Sequence, residues 1–334
     1  MRLMKVLFIG GTGLISSAVS RLALEKGYDL TLLNRGSNRE FEKLGAKYLV
    51  ADVTDPESVK QAVSGLHFDA VVNWIAYTPD DVIRDCGIFR GMAGQYIFIS
   101  SASAYQKPLS HYLITESTPL SNPYWEYSRN KAACEEYLFG RYRTDGFPVT
   151  VVRPSHTYGG SKMIVPLSGA RTSWTYAKRM LDGKEIVVHG DGKSLWVVTH
   201  NTDFALGFIG LIGNYHAIGH AFHITSDEVL TWDQIISIQS DILGVEPRII
   251  HIPSDYISGV LPEYSGSLLG DKAESVVFDN TKIKTFVPGF VCKTPFSVGA
   301  RLVINELLSK PELQVSDEYY NARIDDLIRR YRNM

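Results

Sequence analysis

Lys5-Val6-Leu7-Phe8-Ile9-Gly10-Gly11-Thr12-Gly13-Leu14-Ile15-Ser16 is the stretch on which the fold turns. Its first half is a continuous apolar run that stops at Gly10, as expected of a parallel strand buried on both faces. Residues 15–26 then show helical spacing and end at Gly27. Between the two, the glycines permit a tight turn and let a pyrophosphate approach the backbone at the helix N-terminus. Ser16 stands where a third glycine often allows close helix–strand packing, and its side chain is small enough to serve. Outward from this unit the rhythm continues. Strands are predicted at 29–33, 47–50, 70–75, 96–100 and 149–152, and helices at 56–64 and 127–142, with a small helix in the short crossover between 75 and 96. Strand and helix in alternation mean an α/β chain built on a doubly wound parallel sheet.

After Pro154 the pattern changes. Gly, Ser, aromatic and basic residues are interspersed from 159 to 179, followed by strand candidates at 185–189, 196–199 and 221–224, a helix at 231–243 and a helical tail at 311–334. The expected organisation is a dinucleotide-binding domain of residues 1–158, with 197–226 returning to it. Residues 159–196 and 227–334 form a smaller, C-terminal substrate-binding domain.

Composition limits the partners. Of 334 residues 45% are apolar and 21% charged, with a net charge of -2, the balance of a soluble globular protein. No block of Lys or Arg marks a nucleic-acid or membrane-surface footprint. Cys86, Cys134 and Cys292 are far apart and lack zinc-ligand spacing, so they read as buried thiols in a reducing compartment. The apolar run at the N-terminus is too brief for a signal peptide or a membrane span. A cytoplasmic protein is expected, with a small-molecule substrate and neither nucleic acid nor membrane as partner. His216, His220 and His223 do not share a helical face, and no metal site is expected from them.

The end of the second strand speaks to the cofactor. An acid there would accept the ribose hydroxyls of NAD and repel a 2′-phosphate. This chain has Asn34-Arg35 with Arg39 close behind, and a neutral residue beside a guanidinium suits a phosphate. NADP is therefore preferred, with NAD left open. Asp52, followed by Val53 after the third strand, is placed to meet the adenine amino group.

Tyr127 and Lys131 lie four apart at the start of a helix, hence on one face. A nearby cation favours the phenolate, so Lys131 is expected to lower the Tyr127 pKa and make the phenol a usable acid and base. Ser101 ends a strand of the same sheet, where ligands collect in such folds, and its hydroxyl can donate to a substrate oxygen.

The glycine turn, the run Ser100-Ser101-Ala102-Ser103-Ala104-Tyr105, Tyr127-x-x-x-Lys131 and Arg153-Pro154-Ser155-His156-Thr157-Tyr158-Gly159 together resemble the extended short-chain dehydrogenase/reductase superfamily, the family of NAD-dependent epimerases and dehydratases. The Asn-Arg-Gly loop and shortened crossover look more like an atypical branch. That branch includes chloroplast stem-loop RNA-binding proteins and uncharacterised bacterial relatives. The resemblance implies a Rossmann fold, Ser101, Tyr127 and Lys131 as the catalytic set, and a cofactor held by Gly10, Thr12, Gly13, Leu14, Ile15, Asn34, Arg35, Asp52, Val53, Ala76, Tyr127, Lys131 and Pro154. It also implies substrate contacts at Ser103, His156 and Trp196, and a homodimer, although the short crossover reduces the helix that usually builds that interface.

Departures narrow the substrate. His156 replaces a common Asn, and core packing and substrate contact are equally open for it. Trp196 replaces an Arg, which weakens the case for a nucleotide sugar, and Ala102-Ser103 replaces the Asp-Glu pair of sugar 4,6-dehydratases. The expected activity is transfer of hydride between NAD(P) and a carbonyl or secondary alcohol of a polar, sugar-like substrate. A nucleotide-sugar epimerase with tightly bound NAD is the alternative, and a non-catalytic RNA-binding or dinucleotide-sensing protein a second.

Overall fold

The computed structural model describes residues 3–169 and 173–334. The sequence leaves Arg171 on a solvated helix face, with an anionic substrate as the alternative contact; it lies outside the described residues.

A parallel sheet of seven strands carries the molecule. β1 (Lys5–Ile9) lies near its middle. The chain builds β2 (Asp29–Asn34) and β3 (Lys47–Val50) on one side, then crosses to β4 (Ala70–Asn73), β5 (Tyr96–Ile99), Val149–Pro154 and finally Ala221–Ile224 on the other. The order reverses between β1 and β4, and at such a switch point a crevice opens outside the carboxyl ends of the strands. Alternate residues of β1 serve opposite faces. Val6 and Phe8 join one buried cluster with Val19 and Ala23 of α1 (Leu14–Glu25) and Phe204 and Phe208. Leu7 and Ile9 join another with Val59 and Val63 of α2 (Pro56–Val63), Val82 and Cys86 of α3 (Pro79–Phe89), and Cys134 and Leu138 of α4 (Glu126–Asp145). A strand covered on both faces must be apolar at every position, which is why β1 reads as a continuous run.

β4 ends two residues before the predicted bound. Asn73 turns its side-chain oxygen back to accept from the backbone N–H of Ile75 (2.8 Å) and Ala76 (2.9 Å), and this draws the chain out of the ladder. α4 is longer than predicted, and the predicted tail helix is a single 3-10 turn at Pro311–Leu313 followed by a helix at Glu318–Arg332.

The second half has its own apolar cluster, with Trp174, Tyr176, Trp196 and Trp232 at its centre and the helices Trp232–Leu243 and Phe296–Ser309 around it. From sequence, Arg179 reads as part of a solvated helix face, with an anionic substrate as the alternative contact. It is instead 2% exposed, bonding Asp325 at 2.6 Å and the Glu185 carbonyl, and so clamps the final helix to the body. No described helix is long and apolar enough to cross a membrane.

Candidate active site

The glycine turn takes the form its residues require. Gly10 and Gly11 have φ of 94° and 100°, a region that side chains avoid. A Cβ on Gly11 would also stand 2.7 Å from Leu32 Cδ2. Gly13 caps α1, and the Ser16 hydroxyl accepts from its N–H at 2.8 Å. The small residue in the third-glycine position thus closes the turn.

A cleft of about 540 Å³ opens over this turn, at the switch point. Gly10, Thr12, Gly13, Leu14 and Ile15 line its floor, and Ser101, Tyr127, Lys131 and Pro154 its far wall. Trp74, Ile75, Tyr77, Ser100 and Ser155 complete it, none of which had been singled out from sequence for this role. An adjoining cavity of about 290 Å³ is lined by Thr12, Asn34, Arg35, Asp52 and Val53, with Ser37, Asn38 and Thr54. The predicted cofactor residues therefore fall in two joined spaces. Ala76 is the exception: it is buried, with its N–H on Asn73 and its carbonyl on Lys131, so it shapes the wall from behind.

The second cavity has the donors of an anion site. Asn34 Oδ1 accepts from the Gly36 N–H at 2.8 Å, while its buried Nδ2 has no hydrogen-bond partner among the described residues. The Arg35 side chain is exposed and forms no ion pair among them. Arg39, by contrast, pairs with Glu42 at 3.1 Å. Asp52 accepts from the N–H and hydroxyl of Thr54, which hold its carboxyl below the usual range.

On the opposite wall, Tyr127 and Lys131 share a face of α4 and Ser101 caps the turn after β5. The phenol does not behave as the sequence suggested. Burial pushes Tyr127 up to about 12, and the hydrogen bond from Ser101 offsets only part of this. The lysine does not counter the burial. Lys131 Nζ donates to the carbonyls of Ala76 (2.6 Å) and Ile99 (2.8 Å), and burial lowers its own pKa to about 8. Its ammonium lies 5.7 Å from the centre of the Tyr127 ring and closer to those of Tyr77 and Phe98.

Two of the predicted substrate contacts lie inside the protein. Ser103 is buried, its hydroxyl bonded to Ser101 (2.9 Å) and Ser128 (2.8 Å). Trp196 is 1% exposed, stacked near Trp232 within the second core, and its indole N–H donates to His156 Nδ1 at 3.2 Å. An indole can only donate, so His156 must carry its proton on Nε2. Burial, with Lys272 and Lys162 nearby, depresses the ring's pKa to about 3 and keeps it neutral. His156 is partly exposed and follows Ser155 of the cleft wall, but does not itself line the cleft. Among the described residues, no group of His, Cys, Asp or Glu has the geometry of a metal site.

A glycine turn at the switch point of a doubly wound sheet, facing a Tyr–Lys helix, defines a dinucleotide-binding α/β protein. Residues 6–225 match the family model described as the NAD dependent epimerase/dehydratase family, and the chain belongs to that family. It is 27% identical over 263 residues to the chloroplast stem-loop binding protein of 41 kDa b from Arabidopsis thaliana, an alignment covering 74% of this chain and 65% of that protein. It is 26% identical over 300 residues to the 2-alkyl-3-oxoalkanoate reductase of Stenotrophomonas maltophilia, covering 81% and 86%. Alignments to a dTDP-glucose 4,6-dehydratase of Streptomyces antibioticus and a UDP-glucose 4-epimerase of Lactobacillus helveticus span about half of those proteins, 46% and 53%. Among solved structures, the UDP-glucose 4-epimerase of Bifidobacterium longum superposes with a TM-score of 0.74 at 18% identity, over 93% of this chain and all of that one. The fold is shared over nearly the whole length.

Proposed function

We propose that this chain is an NADP-preferring oxidoreductase acting on a carbonyl or secondary alcohol of a polar, sugar-like substrate. The observation that carries the reading is the convergence of Ser101, Tyr127 and Lys131 on one wall of a cleft whose floor is the glycine turn. The residues fit a dinucleotide. The turn can approach a pyrophosphate without a Cβ in the way, and the Asn34 amide and Arg35 guanidinium would supply donors to a 2′-phosphate. A bound nicotinamide supplies or accepts the hydride. Tyr127 holds the proton at Oη: neutral at pH 7, it gives the proton to the substrate oxygen when a carbonyl is reduced, and its phenolate takes the hydroxyl proton when an alcohol is oxidised. Ser101 donates to the same oxygen. Lys131 adds positive charge behind the phenol, and its third ammonium hydrogen would serve a ribose hydroxyl.

Titration of the purified chain with NADPH and NADH, followed by nucleotide fluorescence, tests this directly. NADPH is expected to bind more tightly, and Arg35→Ala to weaken it by about tenfold or more through loss of charge-assisted hydrogen bonds. Preference for NADH would remove Arg35 from phosphate recognition, and binding of neither would overturn the enzyme reading. The same residues serve an epimerase that oxidises and re-reduces one carbon with tightly held NAD, and nucleotide retained through purification would favour that version.

Similarity to a stem-loop binding protein supports a second reading, RNA association. A net charge of -2 weighs against it. A gel-shift assay decides, because phosphate-driven binding must weaken steeply with salt.

A further inference from the structure

Asp85 is a buried carboxylate on α3, well behind the cleft, 3% exposed in an otherwise apolar layer. One of its oxygens, Oδ2, accepts from both Tyr96 Oη and Asn73 Nδ2, each at 2.5 Å. Arg84 Nε stands 3.8 Å from the other oxygen. Holding a carboxylate here is costly, since burial disfavours its charge. An apolar residue would fill the layer with less penalty unless the acceptor is needed.

The need appears one bond further on. An amide has one acceptor and one donor end. With its NH₂ committed to Asp85, Asn73 must point Oδ1 the other way, at the N–H groups of Ile75 and Ala76. A flipped amide would set donor against donor. The residue held in this way, Ala76, presents its carbonyl on the next peptide along, where it takes Lys131 Nζ at 2.6 Å. The next turn is fastened from its far side, where the Asp81 carboxylate accepts from the N–H groups of Tyr77 and Thr78. Trp74, Ile75 and Tyr77 on this loop line the cleft opposite the glycine turn.

We infer that Asp85 is a positioning residue for the nicotinamide half of the cofactor site: it fixes the orientation of Asn73, which holds the 74–77 loop and, through Ala76, the ammonium of Lys131. This rests on the reading that the cleft takes a nicotinamide dinucleotide. The adenosine cavity meets the relay only through the apolar side chain of Ile75, while its polar groups Asn34, Arg35 and Asp52 lie at the ends of other strands and share no hydrogen bond with it.

The two halves of the ligand separate the effects. With the full 334-residue chain, NADPH and adenosine 2′,5′-bisphosphate are titrated into wild type, Asp85→Leu and Asp85→Asn. The leucine variant, which lacks an acceptor, is expected to bind NADPH about tenfold more weakly. The asparagine variant, which keeps one, should recover most of that loss, and the bisphosphate should bind all three within about twofold. Equal weakening of both ligands would make Asp85 a merely structural group, and unchanged NADPH affinity would remove it altogether. Should Asp85→Leu not fold, hydrogen exchange in Asp85→Ala, which likewise lacks the acceptor, carries the test. The Ile75 and Ala76 amides should exchange faster while the Gly36 amide, held by Asn34, does not, and no acceleration would overturn the inference. Wild-type protein that bound the bisphosphate but not NADPH would instead overturn the reading of the cleft.

Discussion

Lys131 shows how a side chain's chemistry follows from its surroundings rather than its spacing. Four residues from Tyr127, it was expected to pull the phenol's pKa down. Its ammonium is instead drawn to two backbone carbonyls and, burial being the largest influence, titrates near 8. The unfolded chain keeps a lysine charged to about pH 10.4. Between pH 8 and 10, therefore, the unfolded state binds the extra proton and the stability of the folded state rises with pH. Lys131→Met removes this dependence while other groups cancel in the comparison. Unfolding free energies should shift in favour of wild type, relative to the variant, by up to about 3 kcal/mol between pH 7 and pH 10. A pH-independent difference would mean that the ammonium is not buried as described.

The turn between β1 and α1 combines two demands, a positive φ and a close approach. Gly11 meets both, with φ of 100° and Leu32 2.7 Å from any added Cβ. Gly11→Ala should cost about 1–3 kcal/mol, from backbone strain and overpacking together. Thermal unfolding should fall by several degrees, with loss of NADPH binding. An unchanged Tm would show that the turn has room the structure does not. On the neighbouring strand, the early end of β4 was not visible in the apolar run 70–75, because it depends on Asn73 choosing the backbone over the ladder. That choice requires Asp85, twelve positions away on α3.

Long-range ties decide how the two halves meet over the cleft. Asn122, 4% exposed, donates to the Ser103 carbonyl at 2.7 Å and to the Gly270 carbonyl at 2.6 Å, joining the turn at 101–105 to the segment 265–272. That segment also presses on Trp125: a Cβ at Gly266 would come within 2.4 Å of its ring. Asn122→Ala leaves two buried carbonyls without donors and should cost about 1–3 kcal/mol. Hydrogen exchange in 265–272 should quicken while NADPH affinity stays constant, since the cofactor spaces do not include Asn122. Slowed or unaltered exchange would dismiss the tie.

Much of this was legible before folding. The bounds of β1 and β3, and of the strands at 185–189 and 221–224, agree with the apolar runs, and the glycine turn and Tyr127-x-x-x-Lys131 lie where they were read. These are local properties: a run of apolar residues, a positive φ and a four-residue helical step are set by neighbours within a few bonds. Burial and hydrogen-bond partnership are not local. Trp196 was read as a substrate contact, yet it meets His156 forty positions earlier and withdraws into a core. Ser103 is claimed by Ser128, and Lys131 by a carbonyl fifty-five residues away. Which donor finds which acceptor, and how far each is taken out of water, is decided when distant segments pack. That packing set the protonation of Tyr127, Lys131 and His156.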